Sequence, residues 1–193
     1  AWRDDVQLNL GTANPEIGKY TLKSLSAACD AVDAGQAVAI VTAPIDKNSV
    51  QSEDFKFSGH TDYLEDRYES KAVMLLCSDE MRMALATVHI PLSEVASSIN
   101  RDLLFERLRV LEPSLKADFG ISKPRIALLA LNPHAGDKGV IGTEDQDVVQ
   151  KVVEEMTAMG KLCFGPYPSD SFFGSQKHTK FDSILAMYHD QGL

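Results

Sequence analysis

The chain has 193 residues, 44% of them hydrophobic and 24% charged, with a formal net charge of −9. That is enough sequence for one large domain or two small ones, each with a real core. An acidic balance repels nucleic-acid phosphates and anionic lipid, so neither is an expected partner; a small anionic substrate depends on local site charge and stays open.

No apolar run approaches the ~20 residues of a membrane span. The opening AWRDDVQLNL lacks the apolar centre of a secretion signal, which makes the cytoplasm the expected compartment. The three cysteines, Cys29, Cys77 and Cys163, are widely spaced in mostly apolar stretches and read as buried, reduced thiols.

In chain order, Tyr20 to Gly35 places Leu22, Leu25, Ala28, Ala31 and Val32 at helical spacing and ends on a glycine suited to a helix C-terminus. The run Ala37 to Pro44 (AVAIVTAP) predicts a strand covered on both faces. Lys47 follows it in TAPIDK, where it is either a solvated lysine or a cation for an anionic group. The mixed segment at 51–61 is the expected crossing between subdomains. There FSGHTDYLEDR predicts a loop with His60, then a helix capped by Thr61, a pairing that suits a phosphate or carboxylate.

Two strand-like runs follow, KAVMLLCS and MRMALATVHIPL, the second equally compatible with a helix. Arg101 to Gly120 predicts a helix that Pro113 kinks or splits. PRIALLALNPH is a strong strand pattern. Thr143 to Gly160 predicts a helix with Thr143 as its N-cap and acidic residues in its first turn. A short run at Leu162 to Phe164 leads into the turn-rich GPYPSDSFF with Asp170, and SILAMYH predicts the last strand. Helices alternating with buried-type strands predict an α/β fold with a largely parallel sheet. A domain rarely stops directly after a strand, so the sequence reads as a piece of a longer chain.

Three of the five histidines close strand-like runs: His89, His134 and His189. In parallel α/β sheets the carboxyl ends of the strands line the ligand crevice. If the three strands are neighbours, the imidazoles converge from separate elements, as the protein ligands of an open catalytic metal site do. For each histidine alone, a hydrogen-bonded packing role is the simpler reading. Asp190 would orient a ligand by accepting its second ring N–H. Asp170 is either a turn residue or a site carboxylate, and His178 reads as a surface residue. The pattern G-x-G-x-x-G, a P-loop and G-x-S-x-G are all missing, so a standard Rossmann nucleotide site is not expected.

Taken together, TAPIDK, FSGHTDYLE, TVHIPLSEV, LNPHAGDKGVIGTED, GPYPSDSFF and LAMYHDQGL resemble the 4-hydroxythreonine-4-phosphate dehydrogenase family of vitamin B6 biosynthesis. The resemblance runs in order along nearly the whole chain. It implies an isocitrate/isopropylmalate-dehydrogenase-like α/β fold, with two subdomains around a cleft and a homodimer whose site lies near the subunit interface. Residues 1–54 would be part of the first subdomain, and residues 55–193 the second, carrying the site. The family's opening strand and a C-terminal continuation with three substrate-holding groups are not in this sequence.

The resemblance further implies NAD or NADP bound without the Rossmann fingerprint. It implies one divalent metal ion on His89, His134 and His189, with zinc first and magnesium or cobalt as alternatives. His60 and Thr61 fall at substrate-binding positions, and Asp170 and Asp190 at acidic positions near substrate and metal. The general base is open between an aspartate, Lys47 and a water. Asp62 stands where the family usually has Glu, and AGDKG where it commonly has AGEGG; both changes are mild. The implied reaction is oxidation and decarboxylation of 4-phosphohydroxy-L-threonine to 3-amino-2-oxopropyl phosphate. Rival readings are a dehydrogenase of D-threonate or D-erythronate 4-phosphate, a phosphate-binding acyltransferase of the same fold, and a non-catalytic scaffold.

Overall fold

The apolar runs around residues 75, 83, 126, 163 and 184 form one five-stranded sheet. Its strands are β1 (Leu75–Cys77), β2 (Arg82–Leu85), β3 (Arg125–Leu129), β4 (Leu162–Tyr167) and β5 (Ser183–Ala186), in the spatial order β1-β2-β5-β3-β4. β2, β5, β3 and β4 run parallel, and β1 is an antiparallel edge strand. The register joins Met83 to Ile184 and Leu85 to Ala186 on one side of β5, and Ile126 to Ser183 and Leu128 to Leu185 on the other. The structure, a computed structural model, describes residues 11, 15–52, 55–57 and 59–193. The opening run read for a secretion signal lies outside them.

The described chain divides into two units, Ala1–Ser70 and Lys71–Leu193. In the first, α1 (Pro15–Asp33) buries Leu25 and Cys29 against Val50 and Phe55. The short α2 (Lys47–Val50) is capped by the Asp46 carboxylate, which accepts from Asn48 N at 3.2 Å, and α3 (His60–Arg67) follows. Phe55, Phe57 and Tyr63 pack ring against ring at 5.2–5.7 Å. Those contacts tie residues 55–64 to the first unit, so the break comes after Ser70 and not after residue 54. Arg67 binds Asp30 and Asp33 at 2.7 and 2.6 Å, locking α3 to α1.

The strand expected at Ala37–Pro44 is not formed. Residues 37–46 have no regular structure, and Val38 and Val41 are fully exposed. An apolar run becomes a strand only when another strand pairs its backbone, and the described residues of this unit provide none.

The second unit covers its sheet on both faces. α4 (Leu92–Ser98) leads into α5 (Arg101–Ala117), capped by the Asn100 side chain, which accepts from Leu103 N at 3.0 Å. α5 crosses Pro113 as one element. With α6 (Lys151–Ala158) it buries Leu104, Leu108, Leu111, Val152 and Met156 against Ala84, Ile126, Leu128 and Leu185. On the other face α7 (Ser169–Gly174) packs Phe172 against Met83, Leu85, Leu129, Ile184 and Ala186. Alternate residues of each strand therefore serve opposite layers, which is why β5 is apolar or small throughout. α8 (His189–Gly192) closes the described chain.

Two caps differ from expectation. Thr143 does not cap a helix through its side chain; the chain enters through a π-helical turn, Asp145–Gln150, that runs into α6. Thr61 lies inside α3, whose N-cap is Gly59. Cys29 and Cys163 are buried free thiols as expected, but Cys77 is exposed because β1 is an edge strand. His178 is half-buried beside Phe173, with ring centroids 5.7 Å apart.

Candidate active site

The three strands that precede the selected histidines are neighbours. β5, leading to His189, lies between β2, leading to His89, and β3, leading to His134, and all three point the same way. The condition for convergence on one sheet edge is therefore met at the backbone.

At the side chains the picture is closer for two than for three. The rings of His89 and His189 lie 6.0 Å apart, centroid to centroid. With a metal–nitrogen distance of about 2.1 Å, two imidazoles on one tetrahedral ion have centroids roughly 5 Å apart, so this pair is near a shared-ion spacing. His189 Nδ1 donates to Asp190 Oδ1 at 2.7 Å. An ionised carboxylate only accepts, so Nδ1 is the donor in that contact and Nε2 is the nitrogen left for a metal ion. His134 instead lines a cavity of about 330 Å³ together with Asn132, Ser169, Asp170, Tyr188 and Gln191. Among the described residues no three His, Cys, Asp or Glu side chains form a ligand group. The donor chemistry fits a divalent ion: the rings of His89 and His189 lie near a shared-ion spacing, and His134 follows the adjacent strand.

The backbone explains where His134 points. From His134 to Gly139 six consecutive residues have positive φ, between 41° and 95°, four of them non-glycine. Each non-glycine residue costs about 1–2 kcal/mol in that region, so the turn stores roughly 4–8 kcal/mol that the surroundings must offset. Asp145 supplies part of the restraint. Its fully buried carboxylate accepts from Leu131 N at 2.7 Å and Asn132 N at 2.9 Å. Asn132 Nδ2 donates to Glu144 Oε2 at 2.8 Å, and the Glu144 carboxyl is held below its ordinary range by its own backbone N–H and by that amide. The Gln146 side-chain oxygen, oriented to satisfy its neighbours, accepts from Lys138 N and Gly139 N. Gly136 is required where it stands, since a Cβ there would lie 2.5 Å from the Gly142 carbonyl oxygen.

The remaining selected residues divide between the units. Asp170 is exposed in the first turn of α7, its Oδ1 accepting from Ser171 N at 2.7 Å, on the wall that His134 shares. His60, half-buried, and Thr61, exposed, open α3 in the first unit. His60 there lines a separate cavity of about 370 Å³ with the Ile40–Ile45 segment and α1. Lys47 begins α2, and its side chain lies outside the described atoms. Sequence reading missed Asp145 and Gln191. Asp145 looks like an ordinary first-turn acid, and Gln191 carries no signal beyond its place beside His189.

The sequence model of a family described as pyridoxal phosphate biosynthetic protein PdxA matches residues 3–193. This chain belongs to the PdxA family. The 4-hydroxythreonine-4-phosphate dehydrogenase of Bacteroides thetaiotaomicron is 47% identical over 192 residues, covering 98% of this chain and 53% of that protein. The protein of the same name from Chromobacterium violaceum is 44% identical over 184 residues, covering 95% and 56%. A crystal structure of the Klebsiella pneumoniae 4-hydroxythreonine-4-phosphate dehydrogenase superposes with a TM-score of 0.89 at 30% identity, over 96% of this chain and 56% of that one. The chain thus spans about half the length of the curated relatives it matches. The PdxA structures have the isocitrate/isopropylmalate-dehydrogenase type of α/β fold that the motifs implied.

Proposed function

We propose that this PdxA chain carries the metal-binding and part of the substrate-binding machinery of an NAD(P)-dependent 4-hydroxythreonine-4-phosphate dehydrogenase. The observation that carries the reading is the adjacency of β2, β5 and β3, which delivers His89, His189 and His134 to one sheet edge. The name shared by relatives at 44–47% identity supports 4-phosphohydroxy-L-threonine as the substrate.

His89, His134 and His189 would hold the divalent ion, zinc by preference for their nitrogens. When bound, the ion supplies the Lewis acidity that makes the substrate's secondary alcohol easier to ionise, and the nicotinamide is the hydride acceptor. The chain's own residues do the rest. Asp190 holds the His189 ring by accepting from Nδ1. Asp170, exposed on the cavity wall, takes the alcohol proton as the carbinol hydrogen leaves as hydride. The product is a β-keto acid; its carboxylate carbon–carbon bond breaks, CO2 departs, and the electron pair passes into the ketone as an enolate. Protonation of that enolate gives 3-amino-2-oxopropyl phosphate. His60 and Thr61 bind a polar end of the substrate. The expected setting is a cytoplasmic homodimer; no described helix is long and apolar enough to cross a membrane.

The test is NAD+ or NADP+ reduction by the full-length protein with 4-phosphohydroxy-L-threonine, before and after chelation, and in His134→Ala. Activity lost to chelator, restored by zinc, magnesium or cobalt, and absent in the variant is the expected result. Turnover of D-threonate or D-erythronate 4-phosphate instead would move the chain to a sugar-acid substrate. Turnover indifferent to chelator and to His134→Ala would sink the metal reading.

A further inference from the structure

The β3–β5 ladder has its last pair at Leu128 with Leu185, and among the described residues no backbone bond joins Ala130 to Met187 past it. Ala130 and Met187, the first residues past the two strands, lead on to His134 and His189. One side chain fills the gap. Gln191 Oε1 accepts from Met187 N at 2.7 Å, and its Nε2 donates to Ala130 O at 2.6 Å. A planar amide that accepts from one strand and donates to the next does what an additional peptide unit between them would do. The same Nε2 also donates to Ser169 Oγ at 3.0 Å, next to Asp170. Three of the four hydrogen-bonding sites of this amide are thus used, on three chain segments that carry His189, His134 and Asp170.

Met187 is held from the other side as well. Its carbonyl accepts from Thr87 N at 3.2 Å and from Thr87 Oγ1 at 2.7 Å, and Thr87 lies two residues before His89. Among the described residues, the hydrogen-bonded link from Met187 across to Ala130, on the segment that leads to His134, runs through Gln191. One carboxamide thus spans the two segments just past the point where the β3–β5 ladder ends.

We infer that Gln191 is a positioning residue: it fixes the separation of His134 from His189 and ties the Asp170 segment to both. The inference rests on the proposed metal site. Two substitutions separate its parts. Gln191→Met keeps the length and loses every hydrogen bond. Gln191→Glu keeps the acceptor for Met187 N and loses both donations, setting a carboxylate against the Ala130 carbonyl.

The decisive measurement is titration of the full-length apoprotein with Co2+, read by its visible d–d absorption, with thermal unfolding of each apoprotein alongside. Cobalt affinity should fall at least about tenfold in Gln191→Met, on the scale seen when partners of metal ligands are removed, and also in Gln191→Glu. Ser169→Ala, which removes one partner and leaves the strand bridge, should lose only a few-fold. Wild-type affinity and spectrum in both Gln191 variants, even with lowered melting temperatures, would overturn the positioning role and leave a merely structural one. Wild-type protein that binds no cobalt, or His134→Ala protein that binds it equally well, would overturn the metal reading itself.

Discussion

A buried carboxylate that satisfies two backbone N–H groups has no neutral substitute, and Asp145 is such a group. Asparagine in its place can accept one of the two bonds, but its NH2 then faces the other donor. We expect Asp145→Asn to lower the unfolding free energy of the sheet by about 2–3 kcal/mol, measured by urea denaturation. The same change should release the Leu131 and Asn132 amides to faster hydrogen exchange. At this scale the sequence was informative about placement: that His89, His134 and His189 follow neighbouring parallel strands was legible because strand ends are legible. Asp145 was not, because an acid at the start of a helix is already accounted for by the helix, and its true partners lie 13 and 14 residues away.

Elements built from local periodicity matched expectation, and those that need a partner or an unusual backbone did not. α1, α5, β3 and β5 follow from spacing alone. The run at 37–44 has strand composition and no strand beside it. The left-handed turn from His134 to Gly139 was visible only as a glycine-rich loop, because its four non-glycine residues take that conformation under tertiary restraint. Gly136→Ala tests the restraint: with φ at +74° and a backbone oxygen 2.5 Å from the new Cβ, a loss of about 2–3 kcal/mol in thermal or chemical denaturation is expected.

α5 offers a pH test of the same kind. Burial alone would push the Glu112 carboxyl up, but hydrogen bonds from Lys116 and from Lys161 Nζ at 2.8 Å outweigh it and hold it below the ordinary range. A depressed folded pKa gives stability that is complete above the unfolded carboxyl pKa and is lost as pH falls through the folded value. Glu112→Gln should therefore melt below wild type at pH 7, and the two curves should approach one another below about pH 4.

Across the whole molecule, burial sorts the three thiols. Cys29 and Cys163 are enclosed, and burial pushes the Cys163 thiol up to about 11, while Cys77 is exposed at the sheet edge. Titration of the native protein with a disulfide reagent should consume one thiol promptly and the other two only on unfolding, with Cys77→Ser abolishing the fast phase.

The sheet order has a consequence for how the protein is made. β5 is the last of the described strands to leave the ribosome, yet it lies in the centre, between strands that precede it by about a hundred and about sixty residues. Until it emerges, the nascent chain holds two strand pairs with no ladder between them, the antiparallel β1 with β2 and the parallel β3 with β4, each with one inner edge unpaired. Those open edges are the surfaces a chaperone would shield or a neighbouring chain would capture. The strand that brings His189 is thus also the keystone, and a nascent chain stopped before Ser183 should show neither a cooperative melt nor retention of metal.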